Sequence, residues 1–292
     1  MVPDATPLLT LLTLIDTIPL PAALTDRRGR PPIFGDRLFL KGVVVMVLKR
    51  LATVHALLAV LEQDTAEMRQ VRQTLTENGR FPSRRTWERR LAAIATTLPD
   101  DIACLGDHLV TLLDPWQDRG RAVAIDSTPL RARGGVWHQK DRAAGVVPHS
   151  SIDTEAHWTK SGYHGWVYGW KLHLVVTVAA VWIPLRARLT PANVADNEQA
   201  PLLLRDLPAE VRFILGDTHY QDPDLHERAT AEECLLVATK RGAYPHQDDG
   251  VDVRRMFHQL RTHAMENFNG QFKAIFDVTT AVPTRGRVRT AR

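Results

Sequence analysis

A mixed α/β sheet with flanking helices, preceded by an α-helical region, is the fold class this 292-residue chain predicts. Three observations lead there. Residues 1–115 carry helical periodicity broken at Pro and Gly and lack short β-branched runs. From Arg121 onward such runs do appear, separated by turn residues and helical patterns. Two of them end in an aspartate, Asp126 and Asp217, and Glu266 lies inside the last helical segment. With 44% hydrophobic and 24% charged residues the chain can bury a substantial core, as one large domain or two.

In the N-terminal part, Leu8–Leu20 is apolar, but Asp4, Asp16 and Pro19 argue against a signal peptide. Leu38–Gln63 reads as one buried or amphipathic helix, since Lys41, Lys49, Arg50 and His55 make it too charged to span a membrane. Thr65–Glu77 and Ser83–Thr97 are the next helices. In the latter, Ser83 can cap the start, and Trp87, Leu91 and Ile94 form the apolar stripe. That leaves Arg84, Arg85, Arg89 and Arg90 outward, either for phosphate contact or as a solvated face. Arg27, Arg28 and Arg30 form a second basic cluster ahead of Pro31-Pro32. The net charge of +4 admits a polyanionic partner without demanding one. Cys104 and Cys234 are the only cysteines, so neither a disulfide framework nor a structural zinc is expected, and a reducing cytoplasm fits.

The second part begins with a strand at Arg121–Asp126. About forty residues without clear periodicity follow, a length that calls for a function. Trp166–Ala180 and Ile183–Thr190 read as a hairpin and Asp196–Asp206 as a helix. Strand Arg212–Asp217, helix Pro223–Ala231, strand Leu235–Lys240 and a final helix near Val253–Phe276 complete the series. Three strands as a meander, then alternating helix and strand, give a mixed sheet with helices on both faces. This is the order of the ribonuclease H-like fold.

An aspartate that finishes a buried strand emerges at the sheet edge on a fixed backbone, and a carboxylate from a flanking helix can close on the same point. Asp126, Asp217 and Glu266 are placed for such a divalent-metal site. A single Asp at a strand end is more often a turn former or cap, but three in this order point to a site. Of the other acids, Asp222 and Asp224 fit a helix start, Asp153 and Glu155 lie in the long connection, and Asp196 reads as a helix cap.

The segments AID126ST, YGWKLH, LTPANVADNE, LGDTHYQDPDL and E266NFNGQFK, in this order, resemble the DDE transposases of bacterial insertion sequences over residues 120 to 280. GRPPIFGDRLFLKG and FPSRRTWERRL resemble the helical leader of such enzymes. The resemblance implies a helical, DNA-binding region over 1–115, a ribonuclease H-like catalytic domain over 116–280 and a basic tail over 281–292. It further implies Asp126, Asp217 and Glu266 as the catalytic, metal-binding triad, with Asp126 bridging, and Mg²⁺, or Mn²⁺ as a substitute, as the ion. The partners implied are double-stranded DNA, as terminal inverted repeats and target, and a second copy of the chain on that DNA, with no membrane. The location implied is cytoplasmic and nucleoid-associated. Asp217 to Glu266 spans only a helix, a strand and the start of a helix, which leaves no room for a large inserted domain.

The family signature around the Glu has Tyr, Arg, Glu and Lys at intervals of three, four and seven residues. Lys273 matches, whereas positions 259 and 262 are Gln and Thr. Arg261, one residue early, would point about 140° from Glu266 at about 100° per residue, so phosphate contact is assigned to Lys273. Thr262, Glu266, Asn269 and Lys273 share one face, and Phe257, Met265, Phe268, Phe272 and Ile275 another. His138, His149, His157, His164 and His173 fit no zinc spacing. Among the tryptophans, Trp166 and Trp170 read as core and Trp158, beside Lys160, as a base-stacking DNA contact. Lys240 and Arg241 end the last strand as phosphate contacts. Two other functions suit the same residues: a nuclease of this fold without strand transfer, and a non-catalytic DNA-binding remnant.

Overall fold

The computed structural model describes residues 6–20, 33–112, 121–162, 164–179, 181–238 and 251–283. They fall into two compact units that divide between Asp101 and Ile102. Among them no helix is long and apolar enough to cross a membrane.

The first unit is helical: α1 (Pro7–Thr17), α2 (Asp36–Leu48), α3 (Val54–Leu61), α4 (Ala66–Thr74) and the first part of α5 (Arg84–Leu112). Side-chain caps start all of these but α2, which begins after Gly35. The hydroxyls of Thr6, Thr53 and Thr65 accept the N–H groups of Leu9, Ala56 and Met68, and Ser83 accepts that of Thr86. The expected single helix over Leu38–Gln63 is two helices. Arg50 takes a left-handed conformation (φ 54°), and Thr53 then caps a new start. Trp87 is fully buried and packs edge-on against Phe39 at 5.0 Å. Gly42 makes room for it, since a Cβ there would lie 2.3 Å from the Trp87 ring. Arg84, Arg85 and Arg89 are exposed, whereas Arg90 is drawn onto Asp36 and over the Phe39 ring.

Helix α5 does not stop at Thr97 but runs through Pro99. An interior proline removes a hydrogen bond at about 3 kcal/mol. Ile102, Leu109 and Val110, beyond it, pack into the cores of the second unit and offset that loss.

The second unit is built on six strands: β1 (Ala122–Arg131), β2 (His157–Ser161), β3 (Gly165–Thr177), β4 (Pro184–Pro191), β5 (Phe213–Gly216) and β6 (Leu235–Ala238). Their order is β2-β3-β1-β5-β6, with β4 also on β3. Gly169 of β3 pairs with both Arg131 and His157, so β2 lies on the side of β3 away from β1. β2 there takes Gly165–Gly169, and β4 the stretch from Trp170. Strands β3 and β4 run antiparallel to their neighbours, while β5 and β6 are parallel to β1. Without β2, the order β4-β3-β1-β5-β6 is that of the ribonuclease H-like fold. One face is covered by α7 (Asp196–Leu203) and α8 (Pro223–Ala231), around Ile125, Val175, Leu203, Ile214 and Leu225. The other face is covered by α9 (Val251–Ile275), through Ala264, Met265 and Phe268 on Ala124, Leu174 and Val176.

The long connection after β1 is not structureless. It holds α6 (Gln139–Ala143) and β2 and is tied down by indole N–H groups. Trp137 Nε1 donates to the Val146 carbonyl and Trp158 Nε1 to that of Trp137, both at 2.8 Å. Asp126 also does not end its strand, because β1 continues five residues further, to Arg131, against β3.

Candidate active site

Strand β5 is shorter than β1, and that difference opens the site. The last pair of their parallel ladder is Ala124 with Leu215, so Asp126 stands level with Asp217, one residue past the end of β5. Beyond that level no strand among the described residues lies on the β5 side of β1. The two carboxylates therefore emerge side by side where a crevice forms at the carboxyl end of a parallel strand.

Each is oriented by its own backbone. Asp126 Oδ1 accepts the Ser127 N–H at 2.8 Å. Asp217 Oδ1 accepts the His219 N–H at 2.8 Å, capping a 3₁₀ turn at Thr218–Tyr220, and its Oδ2 lies 3.0 Å from His219 Nδ1. Gly216 permits this turn, because a Cβ there would lie 2.8 Å from that of Tyr220. Burial raises the Asp126 carboxyl to about pH 6. The Arg261 guanidinium pulls it down, and the negative charges of Asp217 and Asp196 raise it further. Tyr220 is buried, and its hydroxyl has no hydrogen-bond partner among the described residues. Burial and the charges of Asp126, Asp196 and Asp217 hold that phenol protonated well above its ordinary range.

Asp196 is the first residue of α7 rather than its cap, which is Ala195. Its carboxylate lies 3.1 Å from Lys171 Nζ and 3.4 Å from His173 Nδ1. His173 is fully buried, and its Nε2 meets Thr190 Oγ1 at 2.9 Å. Burial takes its pKa down to about 4 against the pull of Asp196, so the ring is neutral at pH 7 and its contact with Asp196 is not an ion pair.

Helix α9 brings Arg261 to the site. Ala264, Met265 and Phe268 face the sheet, and one turn earlier on that stripe is Arg261, whose Nη1 donates to Asp126 Oδ2 at 3.0 Å. The 140° between Arg261 and Glu266 is what directs Arg261 inward. Sequence reasoning set it aside for that angle, and the missed signal was its spacing from Ala264 and Met265. Glu266 is exposed on the neighbouring face, with Asn269 and Lys273. His258, one turn before Arg261 on the same helix, lies in the field of both acidic positions. Burial and Arg261 lower its pKa, while the charges of Asp217 and Glu266 raise it. Burial also lowers the pKa of Lys273.

Asp126 and Asp217 are thus brought together, whereas Glu266 stands exposed on α9. Among the described residues no three His, Cys, Asp or Glu side chains gather tightly enough to hold an ion as they stand. The two aspartates offer carboxylate oxygens, which suit a hard divalent cation, with His219 as a neighbouring nitrogen. Lys160 is exposed on β2. Trp158 lies in that strand rather than in a loop, its ring 5.3 Å from that of Tyr168. Trp170 is core as expected, but Trp166 is 63% exposed. Residues 165–168 of β3 extend past the end of β1 and pair with β2, where the Trp166 ring stands edge-on to that of Trp158 at 6.5 Å. Lys240, Arg241, the cluster Arg27, Arg28 and Arg30, and residues 284–292 of the basic tail lie outside the described residues.

Solved structures similar to this chain include a pre-cleavage Mos1 transpososome, at 14% identity over 91% of this chain and 76% of that one, with a TM-score of 0.23. A Mos1 transposase paired-end complex with left transposon end has the same identity and coverage and a TM-score of 0.24. The Mos1 strand transfer complex is 16% identical over 85% and 73%, with a TM-score of 0.22. No curated protein matches the chain. The family profile Transposase DDE domain matches residues 117–276, more than half of the sequence and all six strands, and the chain belongs to that family of transposases.

Proposed function

We propose that this chain binds the ends of a DNA element and catalyses phosphodiester cleavage and strand transfer through Asp126, Asp217 and Glu266. The observation that carries the reading is the pair of backbone-anchored carboxylates, Asp126 and Asp217, level with each other at the end of β5 in a chain of the DDE family. Asp126 and Asp217 would hold divalent cations, Mg²⁺ or Mn²⁺ in its place, with Glu266 completing the set from α9. Bound there, such ions would act as Lewis acids on the phosphodiester and help ionise the attacking water or 3′-hydroxyl.

The chain's own groups do the rest. The N–H groups of Ser127 and His219 fix one oxygen of each aspartate, so the acceptors are set before DNA arrives. Water and a 3′-hydroxyl can serve in turn as nucleophile at one site, so no Ser or Tyr nucleophile is required. Lys273, Lys240 and Arg241 contact phosphates, and Lys160 and Trp158 contact DNA along β2. Arg84, Arg85 and Arg89 contact the element end from the first unit. The functional unit on DNA is a pair of chains, because two element ends must be joined.

The test is cleavage of a labelled duplex carrying the element's own end, with Mg²⁺, Mn²⁺ or chelator, followed by a strand-joining assay. Cuts at the repeat boundary that need metal and vanish in Asp217→Asn, with end binding retained, are expected. Cutting without joining would leave a nuclease. Binding without cutting under any metal would leave a DNA-binding remnant, and an Asp217→Asn variant that still cuts would refute the assignment.

A further inference from the structure

The one ion pair to Asp126 in the described structure comes from Arg261, and its geometry bears on how the site takes up a cation. We propose that Arg261 is a built-in counter-ion of Asp126 which a divalent cation displaces, so that the Arg261–Asp126 pair and metal loading exclude each other. The inference rests on the reading of Asp126 and Asp217 as metal-binding carboxylates.

Both oxygens of Asp126 are engaged: Oδ1 by the Ser127 N–H at 2.8 Å and Oδ2 by Arg261 Nη1 at 3.0 Å. The Ser127 contact belongs to the backbone and stays. Only the guanidinium can make way. Arg261 is 12% exposed in its side chain, so this is a largely desolvated pair. Such a pair is favourable when all its donors are used, preferably as a two-pronged fork. Here Arg261 Nε is buried without a hydrogen-bond partner among the described residues. A buried donor left unmade weakens the arrangement.

Asp126 and Asp217 stand level on neighbouring parallel strands, so their two negative charges face each other across one strand spacing. A monovalent group hydrogen-bonded to Asp126 alone offsets one of them. A divalent cation shared by both would offset the pair and could draw in the Tyr220 hydroxyl, which is also without a partner. Arg261 lies on the stripe of α9 that packs on the sheet, which keeps the guanidinium at this spot while no cation is bound. The displaced interaction subtracts from metal affinity. Couplings of this kind are typically between about 5-fold and 150-fold.

The test is Mn²⁺ binding to the full chain without DNA, read by electron paramagnetic resonance of free Mn²⁺, in wild type, Arg261→Gln, Arg261→Lys and Asp126→Asn. The proposal expects Arg261→Gln to bind Mn²⁺ about tenfold tighter or more, Arg261→Lys to stay near wild type because it keeps the charge, and Asp126→Asn to lose the site. Equal or weaker binding in Arg261→Gln, with binding lost in Asp126→Asn, would overturn the counter-ion proposal and leave the metal-site reading standing. Unchanged binding in Asp126→Asn would overturn that reading and the proposal with it. Should Arg261→Gln fail to fold, wild type decides: Ca²⁺ titration should move the Arg261 Nε–H signal in ¹⁵N spectra, assigned with Arg261→Lys, and a signal that stays put would refute the exchange.

Discussion

Replacing Asp126 by Asn should make the metal-free protein more stable at pH 7.5, by a margin that closes as the pH falls. Burial raises the Asp126 carboxyl from 3.8 to about 6 even with Arg261 beside it. A group whose folded pKa lies above its unfolded value favours the protonated form in the fold. Its contribution is fully present below the unfolded value and is lost as the pH rises through the folded one, so the window runs from 3.8 to about 6. Each unit of difference is worth about 1.4 kcal/mol, which gives an upper figure of about 3 kcal/mol. The Asp126 side chain is 24% exposed, and water screening reduces the expectation to about 1–2 kcal/mol. Asn retains an acceptor for the Ser127 N–H and carries no charge at any pH, so it stands in for the protonated carboxyl. The assay is thermal unfolding of both proteins in EDTA from pH 7.5 down to pH 4. At about 2–4 °C per kcal/mol for a unit of this size, the Asn variant should melt a few degrees higher at pH 7.5 and level with wild type near pH 4. A lower melting temperature for the variant at pH 7.5, or a gap that ignores pH, would refute the burial argument.

Two further substitutions test the packing. Gly42→Ala sets helix propensity, a gain of about 1 kcal/mol, against a Cβ lying 2.3 Å from the buried Trp87 ring. Overpacking of that kind costs about 1–3 kcal/mol, so a net loss is expected in denaturant melts, and a more stable variant would show that the Trp87 ring has room to move. Trp166→Ala and Trp158→Ala should differ in kind. Trp158 packs on Tyr168 and holds Trp137 through its indole N–H, so its removal should cost about 2 kcal/mol or more of stability. The exposed Trp166 should be nearly neutral to the fold. If β2 and β3 meet unpaired bases, its loss should weaken binding of a single-stranded extension by about 1–3 kcal/mol in fluorescence anisotropy. Equal effects on both readouts would sink the distinction.

What was legible in the sequence is what local pattern decides. The β-branched runs become strands β1 and β3 to β6, because continuous apolar stretches of that length can be satisfied only inside a covered sheet. The short break between the runs Trp166–Ala180 and Ile183–Thr190 lets them be read as the β3–β4 hairpin, and Gly216 followed by Asp217 marks the end of β5. The misses arise where tertiary partners override local signals. Pro99 reads as a stop, yet α5 continues because Val110 has a core to enter. The residues before Gly165 have no periodicity, yet their tryptophan N–H groups find carbonyls in the same connection, and β2 finds an open edge of β3.

The site shows the same division. Asp126 looks like a strand end because its apolar run stops there, but what exposes it is the shortness of the neighbouring strand, a property of β5 rather than of β1. Arg261 was discounted by asking where it points relative to Glu266. The deciding relation is with Ala264 and Met265, because the face of α9 that packs on the sheet determines which charged residue arrives at its open end. On a long amphipathic helix, a cation in register with the buried stripe is therefore to be sought at the strand ends. There it meets whatever anion the sheet presents, here the carboxylate of Asp126, and any divalent cation that binds Asp126 must contend with it.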